Sequence, residues 1–148
     1  MIRIASLLAL GFISLECFAS DSVSYAQMAR SSWSSFECST LASKMRQPAE
    51  QERLFNFGYA QGQEFISALE AGKIKREDLS SYAPVGVLLL LEGPSADFIL
   101  GRIYAAAEEN ALKDVYQTGG VFNSEATQEL IASNKFTGSN CQLIGNGR

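Results

Sequence analysis

"NFGYAQGQEF", residues 56–65, places Gly58 and Gly62 four residues apart inside a segment that otherwise has a helical pattern. A glycine in a helix interior costs about 1 kcal/mol relative to alanine, so a pair one turn apart needs a physical reason. At 3.6 residues per turn, Leu54, Phe55, Gly58, Gly62, Phe65, Ile66 and Leu69 share one face. Glu52, Arg53, Ala60, Gln63 and Ser67 occupy the other. The glycines therefore lie in the apolar stripe, and the expectation is a close helix crossing, with the helix of Gly101 as the candidate partner. The competing reading is a ligand pressed against bare backbone.

Helical patterns continue on both sides of this segment. A first helix is expected from about Ser24 to Arg46, with Trp33, Cys38, Leu41, Ala42 and Met45 on one half of its circumference. Pro48 suits the first turn of the second helix, which Gly72 stops. "KIKRED", residues 73–78, mixes charge signs and reads as a solvated connector. "PVGVLLLLEG", residues 84–93, is leucine-rich rather than β-branched and predicts a short buried helix, with a strand as the alternative. In residues 93–120, Pro94 opens a long helix, Asp97 complements its dipole, and Gly119 and Gly120 end it. A last helix follows, capped by Asn123 or Ser124. The pattern predicts an all-α compact bundle of four to five helices with one disulfide.

Residues 1–19 have the character of a signal peptide: Arg3 is followed by an apolar core, Ile4 to Ile13, and Cys17 and Ala19 suit a cut after Ala19. Lipid attachment at Cys17 is the alternative, and Glu16 fits it poorly. The expectation is a periplasmic or secreted protein in which residues 20–148 form a single helical domain, with no stable membrane insertion after cleavage. The mature chain of about 130 residues can bury a real core. It retains two cysteines, Cys38 and Cys141, and in an oxidising compartment these predict one bridge.

The residues present also limit the chemistry. The chain has no histidine, which removes the Ser-His-Asp triad, the Cys-His pair and histidine metal sites. No serine lies three residues before a lysine, so the SxxK nucleophile pattern is missing. Asp97 and Glu108 lie near one line of a helix, but their eleven-residue separation spans about 16 Å, too far for a glycosidase carboxylate pair. A net charge of −4 with scattered basic residues argues against nucleic acid as a partner. The expectation is a non-enzyme without metal or cofactor, acting by binding a protein of the cell envelope. Asp97, Tyr104 and Glu108, on the border of the long helix's apolar face, are the candidate contact residues. For Glu108 the competing explanation is an internal ion pair.

Cys38 in a first helix, "FGYAQGQEF", "GKIKREDL", an apolar stretch and an alanine-rich helix together resemble the Rap1a/Tai family over roughly residues 33–111. Gly58-Tyr59-x-x-Gly62 is the sharpest element of the resemblance. It implies a small, secreted, helical, disulfide-bonded immunity protein that neutralises a toxin delivered by type VI secretion. The chain departs from the family pattern at Phe57, where a cysteine is usual, and in the extension that carries Cys141. A periplasmic chaperone or envelope assembly factor is the alternative function.

Overall fold

The computed structural model describes residues 16–146, with side chains from Asp21 onward. Arg3 and the apolar core of the expected leader lie outside the described residues, as do the side chains of Cys17 and Ala19. The described chain is all-α: α1 spans Glu16–Lys44, α2 Pro48–Glu70, α3 Arg76–Tyr82, α4 Val85–Leu88, α5 Ala96–Leu112 and α6 Glu125–Gly138. A 3-10 turn, Cys141–Leu143, follows α6. Among these residues no helix is long and apolar enough to cross a membrane.

The crossing of α1 and α2 organises the molecule, and its cause is small residues on both helices. Alanines and serines at 22, 26, 29, 32, 35, 39 and 42 recur every three or four residues of α1, and all are buried. Gly58 and Gly62 face this row. A Cβ on Gly58 would come within 2.8 Å of the Ser35 Cβ and 3.1 Å of the Phe36 ring. One on Gly62 would come within 2.8 Å of the Ser32 Oγ and would overlap the end of Leu100. Gly101 is not part of this crossing. It is exposed, and a Cβ there would meet nothing within 4 Å, because it sits on the outer border of α5 while Leu100 points inward.

Serines in a helix interface need partners, and most have one. Ser35 Oγ donates to the Ser31 carbonyl, and Ser39 Oγ crosses to the Gln51 carbonyl in the first turn of α2. Ser22 Oγ donates to Asp78 at 2.6 Å and accepts from the Lys75 backbone N–H at 2.9 Å. These two bonds fasten α3 to α1; of the segment expected to connect two helices, residues 73–75 do so and residues 76–78 already form the start of α3.

Two apolar clusters form along the shared helices α1, α2 and α5. One holds Ala29, Phe36, Phe65, Ile66, Leu100 and Ile103. The other holds Cys38, Leu41, Leu54, Ala111, Val115, Phe136 and Cys141. Cys38 and Cys141 are joined by a disulfide with Cα atoms 5.5 Å apart. The segment expected to be a short buried helix forms the single turn α4. It buries Val87 but leaves Val85 and Leu89 largely outside.

The helix α5 ends at Leu112, earlier than Gly119 and Gly120 would set it. Those glycines, at φ 59° and 83°, form the two-residue turn of a short hairpin that joins β1 (Gln117–Thr118) to β2 (Val121–Phe122). Asn123 braces this hairpin: its side chain donates to the Val115 carbonyl and its backbone N–H to that of Tyr116. The α6 cap is then Ser124, which accepts from Thr127 N–H.

Candidate functional site

Asp97, Gly101, Tyr104 and Glu108 follow one another along one line of α5, as their spacing requires. Their surroundings differ, however. Asp97, Gly101 and Tyr104 line a recess of about 140 Å³ with Phe36, Phe55 and Tyr59. Glu108 lines the next depression, an open groove of about 450 Å³ with Ala105, Leu112, Lys113, Tyr116 and Phe122.

The recess has aromatic walls. Phe55 and Tyr59, one turn apart on α2, stack with centroids 6.1 Å apart and planes 14° from parallel. Tyr104 stands nearly perpendicular to them, its ring edge-to-face with Phe55 at 5.4 Å and with Phe36 at 5.3 Å. At one end the Tyr59 hydroxyl donates to Asp97 Oδ1 at 2.6 Å. This bond raises the Tyr59 pKa, because ionising the phenol would remove the donated proton and leave two negative charges adjacent.

Among the described residues no cation pairs with Asp97 or Glu108; the ion pairs there are Arg46–Glu125 and Arg53–Glu50. The nearest arginine along α5, Arg102, donates to the Glu92 carbonyl and lies over the Phe98 ring. The internal partner envisaged for Glu108 is therefore not found among the described residues. No group of three or more His, Cys, Asp or Glu side chains comes together there as a metal site either.

The groove beside Glu108 is bounded by the hairpin. Lys44 lies 4.2 Å from the Tyr116 ring centre and holds that ring against α1. Phe122 is 81% exposed and Val121 70% exposed, so the hairpin presents its apolar side chains outward.

Sequence reasoning missed Phe55, Tyr59 and Phe122. Phe55 shares the helical face of Gly58 and Gly62 in the sequence, but it lies at the edge of that face and is 38% exposed. The legible signal was the i, i+4 aromatic pair Phe55–Tyr59 beside the border of α2. Comparison with family models, characterised proteins and solved structures returns no match.

Proposed function

We propose that this chain is an exported binding protein that occludes a protein partner in the cell envelope, as an immunity or inhibitor protein. The observation that carries this reading is the outer border of α5. There, two carboxylates without internal cations alternate with exposed or half-exposed aromatic groups from α2, α5 and the hairpin. An acid beside aromatic surface is suited to meet a basic, apolar-flanked patch on another protein, where a desolvated charge pair contributes strongly. The recess is far smaller than the roughly 300–1,000 Å³ of small-molecule sites, which argues against a metabolite there; the groove beside Glu108, about 450 Å³, is within that range but lies open at the surface. The resemblance carried by Gly58-Tyr59-x-x-Gly62 adds the immunity version. The glycines of that motif face α1 while Tyr59 lines the recess.

The test begins with melting temperatures of Glu108→Gln and Phe122→Asp, followed by affinity for whatever wild-type protein captures from envelope extracts. Both variants are expected to melt like wild type and to bind the captured partner more weakly. If Glu108→Gln melts early, or either variant binds with unaltered affinity, this surface is not the contact. A chaperone or assembly factor is the second reading, favoured by the outward Val85 of α4 and Leu89 just after it. It requires capture of several unrelated unfolded proteins rather than one folded partner.

A further inference from the structure

Glycine is unfavourable in a helix interior, and Gly58 and Gly62 have the steric reason given above. Gly101 has none. It lies inside α5, is exposed, and an added Cβ would meet no atom within 4 Å. It does line the aromatic recess, between Asp97 and Tyr104 along α5.

We infer that this recess is a socket for one arginine side chain of the protein partner. The inference rests on the proposed binding role and assigns a specific contact to it. Three features point to a guanidinium. The Asp97 carboxylate is held in place by the Tyr59 hydroxyl through Oδ1, and among the described residues Oδ2 makes no hydrogen bond or ion pair. The Phe55 and Tyr59 rings, stacked 14° from parallel, put an aromatic wall next to that carboxylate. A planar cation can lie against such a surface while its N–H edge meets the acid, which a compact ammonium cannot do in the same way. The recess, about 140 Å³, has room for the end of a side chain and not for a whole ligand.

The test needs no partner. The disulfide-bonded protein, with isotope-labelled aromatic rings, is titrated by NMR with acetyl-Gly-Arg-Gly-amide and with the peptides carrying citrulline or lysine instead of arginine. Citrulline has nearly the shape of arginine without its charge. The arginine peptide is expected to shift the Phe55, Tyr59 and Tyr104 ring signals saturably, and the citrulline peptide to bind at least about tenfold more weakly, the loss of one charge-assisted contact. The lysine peptide should also bind more weakly than arginine. Asp97→Asn should bring arginine binding down to the citrulline level. Gly101→Leu should abolish it while melting no earlier than wild type. Equal binding of citrulline or lysine, ring signals unmoved at tens of millimolar peptide, or wild-type binding by Gly101→Leu would each overturn the socket. Failure here leaves the binding role to the Glu108 and Phe122 variants, and failure of those variants leaves a positive titration standing.

Discussion

Three glycines in similar helical settings are expected to respond differently to substitution. Gly58→Leu and Gly62→Leu each force a side chain into the α1–α2 crossing, where the obstacles are the Ser35 Cβ, the Phe36 ring and Leu100. Overpacking of this kind typically costs about 1–3 kcal/mol, measurable by urea unfolding. Gly101→Ala has open space and is expected to gain up to about 1 kcal/mol from helix propensity. Wild-type stability for Gly58→Leu, or a clear loss for Gly101→Ala, would contradict this assignment. The inward pair was legible in the sequence because it falls among Leu54, Phe65 and Ile66 on a single stripe. The exposure of Gly101 was not: spacing places a residue on a face border but does not reveal whether a neighbour reaches it. Tyr59 gives a second test at this scale. Its raised pKa means that the contact with Asp97 is fully present below the ordinary phenol range, near 10, and is lost as pH rises through the raised value. Tyr59 should therefore ionise at higher pH than a free tyrosine, and Asp97→Ala should return it to the ordinary range, followed by ring NMR. An unshifted wild-type Tyr59 would mean that the hydrogen bond does not persist in solution.

The long helices were readable because each carries a sustained 3.6-residue pattern, whereas the ends and short elements depended on contacts that a pattern does not encode. The termination of α5 shows the difference. Gly119 and Gly120 suit a helix stop and a hairpin turn equally well, since both uses need positive φ. The hairpin prevails because Asn123 supplies partners to the carbonyls just beyond the helix, from Val115 through its side chain and Tyr116 through its backbone. The row of serines on α1 carries no apolar signal in the sequence. It proved to be buried, because the serines are small and can direct hydroxyls to carbonyls at 31 and 51. Asn123→Ala tests the hairpin account. It removes the donor to the partly buried Val115 carbonyl and also the bond to Thr118 Oγ1. A loss of about 1–2 kcal/mol is expected, with faster amide exchange confined to residues 115–123. A change spread evenly over α5 and α6 would show that Asn123 does not act on the hairpin in particular.

Across the whole molecule, α1, α2 and α5 run through both apolar clusters, while the disulfide and α6 belong to only one. The bridge closes a sequence separation of 103 residues, for which loop-entropy models give about 4–5 kcal/mol and measured values are typically 2–4. It is not the sole tether of the C-terminal segment. Arg53 donates to the Ile144 carbonyl, and the Phe57 ring lies against Gly145. Replacing both cysteines by serine should therefore destabilise the protein by about 2–4 kcal/mol without a wholesale loss of fold. The damage should also be uneven. Hydrogen exchange is expected to rise first around Ala132, Phe136 and position 141, in the cluster that holds the bridge, and least around Phe65 and Ile103 in the other cluster. The recess is built largely on Phe36, Leu100 and Tyr104, which belong to or pack against that second, better-protected group. Its aromatic ring signals should accordingly keep their wild-type positions in the double-serine variant, at temperatures well below melting. The bridge then acts as a staple for α6 and the C-terminal segment, in a different cluster from the one behind the aromatic recess. Uniform loss of protection through both clusters, or ring signals at Tyr59 and Tyr104 that move when the bridge is removed, would show instead that the disulfide holds the site itself in shape.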